Sequence, residues 1–152
     1  MERRRGFEIV KGFENKKINM PVRKTKCSAG YDVEAVEDCV VPVFKQGIKP
    51  TLIKTGIKAY MEEDEYLMLC NRSSNPAKKG LILANSIGVV DSDYYNNPDN
   101  DGHIMFAFYN FSEEETIIKK GDVIGQAIFQ KFVVIDGDIS GGERIGGFGS
   151  TN

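Results

Sequence analysis

Histidine occurs once in the chain, at His103. A Ser-His-Asp triad or a His-rich metal site would have to rest on that single imidazole, so both are set aside and His103 is read as an ordinary loop or strand residue. Cysteine is scarce too: Cys27, Cys39 and Cys70 are odd in number and include no C-x-x-C pair. They read as reduced thiols of a cytoplasmic protein, not as a disulfide frame or a zinc site. No apolar run approaches the roughly 18 residues needed to cross a bilayer, and no signal-peptide h-region follows Met1. Positive charge is not in excess. The formal net charge is −2, which offers no cationic field to nucleic-acid polymers or anionic membranes. The short run Arg3-Arg4-Arg5 reads as a solvated terminus. Neither a G-x-x-x-x-G-K-[ST] phosphate loop nor a G-x-G-x-x-G turn is present, so a nucleotide would have to be held in another way.

The 152 residues fit a single domain, with 41% hydrophobic and 28% charged residues. The periodicity is that of short strands: Phe7–Val10, Val40–Phe44 interrupted by Pro42, the partly alternating run Thr51–Tyr60, Glu65–Cys70, Ile104–Phe111, Val123–Phe129 and Phe132–Ile135. Both faces of Ile104–Phe111 are apolar, which predicts a strand buried on both sides. Turn signals at Gln46-Gly47, Lys120-Gly121-Asp122 and Asp136-Gly137-Asp138 separate the runs, as in a β-sandwich, jelly roll or barrel. One short helix is expected, with Ser74 or Asn75 as N-cap, Pro76 as its first residue and Gly80 as its stop. From residue 137 onward six glycines crowd together, and glycine costs the most entropy to order. Residues 137–152 are therefore expected to form a mobile arm, equipped with Arg144, Phe148, Ser150 and Thr151 to grip a ligand.

Four polar segments carry potential chemistry. Ala29-Gly30-Tyr31-Asp32-Val33 is a glycine turn entering a strand. Asn71-Arg72-Ser73-Ser74 leads into the helix; a guanidinium fork, two hydroxyls and free helix N–H groups suit phosphate, and equally suit a capped surface turn. Asn85 to Tyr94 places Asp91 at the edge of an apolar run, where a carboxylate can act as a general base or hold a metal. The fourth segment is the tail from Glu143 to Asn152.

In this order, and with Gly121-Asp122-Val123-Ile124-Gly125-Gln126 added, the segments resemble the five motifs of the trimeric dUTPases, the deoxyuridine triphosphate nucleotidohydrolases. The resemblance runs from Ala29 to the end of the chain. It implies a dUTPase-like jelly-roll fold, a homotrimer with shared active sites, and Mg²⁺-assisted hydrolysis of dUTP to dUMP and pyrophosphate. It implies Asp91 as the general base that activates water for attack on the α-phosphate, and Asp32 as the holder of Mg²⁺ through water. Tyr94 would pack against the deoxyribose and exclude a 2′-hydroxyl, while Asn85 and the backbone around Val89, Val90 and Met105 would read uracil. Phosphates would fall to Arg72, Ser73, Ser74 and Gln126, the γ-phosphate to Arg144, Ser150 and Thr151. Phe148, beside Gly149, would stack over the base.

The sequence departs from the family pattern in three places. Asn96-Asn97-Pro98-Asp99-Asn100-Asp101 extends the third motif, and reads as a longer, solvated hairpin tip; its acids would also permit a metal. Only Ile145 stands between Arg144 and Gly-Gly-Phe, where the family has two residues. Asn71 replaces a proline and is expected to matter little. Two other readings remain. A dCTP deaminase-like enzyme of the same fold would need a carboxylate for the cytosine amino group, and no segment matches it. A dUTP-binding regulatory module with a protein partner would be sought at Asn96–Asp101.

Overall fold

The computed structural model describes residues 2–149; Met1, Ser150, Thr151 and Asn152 lie outside the described residues. Among the described residues, eleven strands and one short α-helix follow in the order β1 (Gly6–Ile9), β2 (Tyr31–Glu34), β3 (Cys39–Val41), β4 (Thr51–Lys54), β5 (Ile57–Tyr60), β6 (Glu65–Cys70), α1 (Ser74–Lys79), β7 (Leu81–Leu83), β8 (Gly88–Asp91), β9 (Met105–Asn110), β10 (Thr116–Ile118) and β11 (Val123–Lys131). A 3₁₀ turn, Ser92–Tyr94, follows β8. The strands form an antiparallel four-stranded sheet in the order β2-β11-β6-β8, a three-stranded sheet β4-β9-β7, and two pairs, β1-β5 and β10-β3. This is an all-β, jelly-roll-like architecture. The buried side chains make one cluster around Phe106, Phe108, Leu67 and Ile53. As its two apolar faces predict, β9 is buried on both sides: Phe106, Ala107 and Phe108 are inaccessible, Met105 and Tyr109 half-buried.

Several sequence expectations change. Thr51–Tyr60 is two strands, because Gly56 sits at φ 71° and turns the chain between them. Val123 to Lys131 is one continuous strand, whereas Phe132–Ile135 has no strand partner and lies exposed, Val133 at 95%. The helix begins at Ser74, with Ser73 at the N-cap making no side-chain cap bond. Pro76 is thus the third helical residue; its missing N–H falls among the first four, which have no partner inside a helix. Gly80 ends the helix in the left-handed conformation, as expected. The N-terminal arginines are not simply solvated. Arg3 pairs with Glu8 and lies 4.1 Å over the Tyr60 ring, and Arg5 grips the buried Glu65 carboxylate at 2.6–3.0 Å. The three cysteines are unpaired. No helix among the described residues is long and apolar enough to cross a membrane.

Candidate active site

β8 is the outer strand of its sheet, paired only with β6 through Tyr66↔Asp91, Leu67↔Val90 and Met68↔Val89. All four of its residues, Gly88 to Asp91, line a cavity of about 320 Å³. Strands at an edge present free N–H and C=O groups, which can bond a flat polar partner as they would another strand. Asn85, Val89, Val90 and Met105 line that cavity, with Asp91 and Tyr94 at one end. Gly88 begins β8 because a side chain there would strike Leu69 Cβ at 2.9 Å. Tyr94 is buried; its hydroxyl donates to the His103 carbonyl at 2.7 Å and accepts from the Asn100 amide at 2.8 Å. Burial pushes the Tyr94 phenol above its ordinary value, so it stays a neutral donor.

The tail returns to this cavity. Arg144, Phe148 and Gly149 line it. The Arg144 guanidinium donates from Nη2 to Asp91 Oδ2 and from Nε to Asp93 Oδ1, each at 2.7 Å, and sits 5.6 Å over the Tyr94 ring. Its side chain is only 8% accessible, while that of Asp91 remains 54% accessible. Gly147 is buried against the 96–101 segment: a methyl group there would lie 2.8 Å from Asp99 Oδ2 and 3.0 Å from the Asn100 amide. Ile145 alone between Arg144 and Gly146 is enough for the guanidinium to reach Asp91 and for Phe148 to reach the cavity. Ser150 and Thr151 lie outside the described residues.

The remaining candidates gather elsewhere. Asp32 on β2 is opposite Gln126 on β11, which is opposite Cys70 on β6. Arg72, Ser73 and Ser74 follow one residue after Cys70, with Asn71 between. Arg72 Nη1 donates to the Val123 carbonyl at 3.2 Å, and Gln126 Nε2 donates to the Asn71 carbonyl at 3.3 Å. Gly30 leaves room for Gln126, whose Oε1 would be 2.1 Å from any Cβ at that position. Asn71 matters more than its replacement of a proline suggests: its side chain donates to the Leu81 carbonyl and accepts from Asn75 and from the Arg72 amide, at 2.8–2.9 Å. It fixes the start of α1 and the backbone of Arg72.

Within one chain these are therefore two clusters. Asp91 is level with Tyr66, and the Asp32–Gln126 row is level with Cys70. Four strand steps, about 13 Å, separate them along β6, with β6 itself lying between β8 and β11.

The 96–101 segment is not a loose solvated tip. Asn97 and Lys58 are buried, and the Lys58 ammonium donates to Asn96 Oδ1 at 2.5 Å and pairs with Asp101 Oδ2 at 2.8 Å. Lys58 also lies 5.1 Å from the Tyr95 ring centroid. No cluster of three metal-ligating side chains occurs among the described residues. Sequence reading singled out neither Asp93 as a partner of Arg144, nor Asn100, nor Lys58; nothing in their spacing distinguishes them from surface polar residues. His103 accepts the Gly56 N–H at 2.9 Å and packs edge-on against Phe13, and burial lowers its pKa to about 4.

Comparison with known proteins gives this arrangement its family. A family model described as dUTPase matches residues 16–142. The deoxyuridine 5′-triphosphate nucleotidohydrolase of Lactococcus lactis is 53% identical over 149 residues, covering 97% of each chain. That of Paramecium bursaria Chlorella virus 1 is 36% identical over 140 residues, covering 86% of this chain and 88% of the viral one. The crystal structure of dUTPase from Streptococcus mutans superposes with a TM-score of 0.80 at 41% identity, covering 87% of this chain and 99% of that one. A mutant dUTPase from phage phi11 of S. aureus, described with a coordinated structural Mg(II) ion, has a TM-score of 0.69 at 17% identity, covering 93% of this chain and 98% of that one; it speaks for the fold alone. With a family model over most of its length and a relative more than half identical across nearly all of it, the chain belongs to the dUTPase family.

Proposed function

We infer that this enzyme hydrolyses dUTP to dUMP and pyrophosphate, with Asp91 activating the attacking water. The observation that carries the reading is the edge of β8: a cavity whose wall offers free backbone groups and Asn85 to a pyrimidine, with an accessible carboxylate, Asp91, and the buried ring of Tyr94 at its end. Tyr94, held on both sides of its hydroxyl, is placed to pack on the sugar and leave no room for a 2′-hydroxyl. Val89, Val90 and Met105 flank the base, and Phe148 from the arm covers it.

The phosphates fall to the second cluster: Arg72, Ser73, Ser74 and Gln126. A single triphosphate must reach Asp91 and that cluster together, and one chain holds them on opposite sides of β6. A homotrimer whose sites take Asp91 from one subunit and Arg72 from another removes the difficulty, and closed rings of identical subunits are a common assembly. Asp32 is the carboxylate beside Gln126, with its side chain 19% accessible. One carboxylate plus substrate phosphates and waters is a donor set that suits Mg²⁺. Bound there, Mg²⁺ would neutralise charge on the phosphates. The arm, residues 137–152, would close the site: Arg144, which in this structure holds Asp91 and Asp93, would exchange them for the γ-phosphate together with Ser150 and Thr151, while Phe148 and Gly149 cover the base. An arm that closes also excludes water other than the nucleophile. The unpaired thiols fit a reducing, cytoplasmic setting.

The decisive experiment measures pyrophosphate release in Mg²⁺ from dUTP, dCTP, dTTP and UTP. Turnover is expected on dUTP far above the others; comparable turnover of dCTP, or release of ammonia, would sink the reading.

A further inference from the structure

The segment from Asn96 to Asp101, read in the sequence as an extension of the third motif, is built to be rigid. Asn96 and Asp101 stand at φ 58° and 62°, a region that Asn and Asp tolerate better than most residues. The Asn97 side chain donates to the Tyr94 carbonyl and to Asn100 Oδ1, both at 2.8 Å, and accepts the N–H groups of Asp99 and Asn100. Lys58, from β5, fastens both ends of the segment. Inside this frame Asn100 has every polar atom assigned. Its Oδ1 accepts from Asn97 and from the Gly102 N–H at 3.1 Å, and its Nδ2 is thereby aimed at the Tyr94 hydroxyl at 2.8 Å. The hydroxyl in turn donates a hydrogen bond to the His103 carbonyl at 2.7 Å. Gly147 of the arm then packs directly on the Asn100 amide.

We propose that Asn100 is a positioning residue for sugar selection: it fixes the Tyr94 ring through its hydroxyl, and the closing arm locks that contact by seating Gly147 over it. The proposal rests on the reading of Tyr94 as the wall against the deoxyribose. A phenol held by two hydrogen bonds from opposite sides cannot retreat to admit a 2′-hydroxyl; one held by the His103 carbonyl alone can pivot. Discrimination between dUTP and UTP should therefore depend on a side chain that touches neither.

The test compares kcat/KM for dUTP and for UTP as competing substrates in Asn100→Ala, Asn100→Asp, Tyr94→Phe, Tyr94→Ala and the Asn100→Ala/Tyr94→Phe double variant, with thermal unfolding of each. Losing one hydrogen bond should lower the dUTP:UTP ratio about 5- to 10-fold in Asn100→Ala. Asn100→Asp keeps both acceptor contacts of the loop but sets a second acceptor against the Tyr94 hydroxyl, whose one proton can serve either the carboxylate or the His103 carbonyl, so the loop stays folded while the two-bond hold is lost and the ratio still falls. In the Tyr94→Phe background, Asn100→Ala should change the ratio no further. An equal drop in that background, or an unchanged ratio in a folded Asn100 variant, overturns the proposal. An unchanged ratio in Tyr94→Ala overturns the reading of Tyr94 itself, and the proposal with it.

Discussion

Mild acidification should destabilise this protein through its single histidine. His103 is buried, accepts the Gly56 N–H, and has a pKa lowered from 6.5 to about 4, burial being the largest cause and Lys54 adding to it. In the unfolded chain the imidazole returns to its ordinary value. Below pH 6.5 the unfolded state therefore binds a proton that the native state refuses, and the equilibrium moves toward unfolding. The native contribution is fully present above pH 6.5 and is lost as pH falls toward 4. Each pH unit in that window costs about 1.4 kcal/mol, so between pH 6.5 and 4.5 the loss is about 2–3 kcal/mol. That is a large share of the roughly 5–15 kcal/mol of an ordinary domain. The carboxylates held low by partners, Glu8, Glu65, Asp64 and Asp101, have ordinary values of 4.5 or 3.8, so they begin to weaken the fold only at the acid end of this window and leave the slope between pH 6.5 and about 5 to His103. Urea unfolding at fixed protein concentration, from pH 7.5 to 4.5, reads the slope. His103→Gln can still accept from Gly56 but does not titrate, so its stability should be flat from pH 7.5 to about 5. A glutamine variant with the wild-type slope, or a wild type with none, would refute the reasoning. The site should follow the fold, because the His103 carbonyl holds Tyr94.

Other outcomes follow from the site. Asp91→Asn keeps an acceptor for Arg144 and loses the carboxylate proposed as the base; turnover of dUTP should fall by about 10²–10⁴-fold with little change in the affinity of a non-hydrolysable dUTP analogue, and a fully active variant would remove Asp91 from that role. Truncation after Ile145 removes Gly147 and Phe148 and should abolish turnover while leaving the core folded, since among the described residues no buried member of the hydrophobic core lies beyond Ala127; normal kcat/KM in the truncated chain would contradict a closing arm. Asp91→Asn and Arg72→Ala chains, each inactive alone, should regain activity when refolded together, because some mixed sites take both intact residues from different subunits. Absence of any recovery would place Asp91 and Arg72 of one site in the same chain.

The sequence was most legible where chemistry is local. Asp91 at the end of an apolar run, the glycine at the helix stop and the doubly apolar β9 all depend on neighbours within a few residues, and each stands where its pattern places it. Short strands were not legible: β7 and β10 have three residues each, fewer than a period-two pattern needs to show itself. Thr51–Tyr60 hid its break because a single glycine, Gly56, carries the turn without any polar cluster around it. The cap of α1 was misplaced because Ser73, Ser74 and Asn75 are all capping types, and the choice among them is made by Asn71 and the Ile124 carbonyl, both bonded by Asn75.

The 96–101 segment was the largest misreading, and the reason bears on how the site is built. Its six residues have the composition of a solvated turn, and composition cannot register a buried lysine arriving from a strand nearly forty positions earlier. Once Lys58 neutralises Asp101 and holds Asn96, the remaining amides have no need of water and can be spent on each other and on Tyr94. A loop satisfied in this way is stiff without contributing any apolar core. Stiffness is what a wall against a single hydroxyl group requires, because a pocket discriminates against a small added group only if it cannot move aside for it. The polar character that made the segment look dispensable in the sequence is the same property that lets it hold Tyr94 from outside the hydrophobic core.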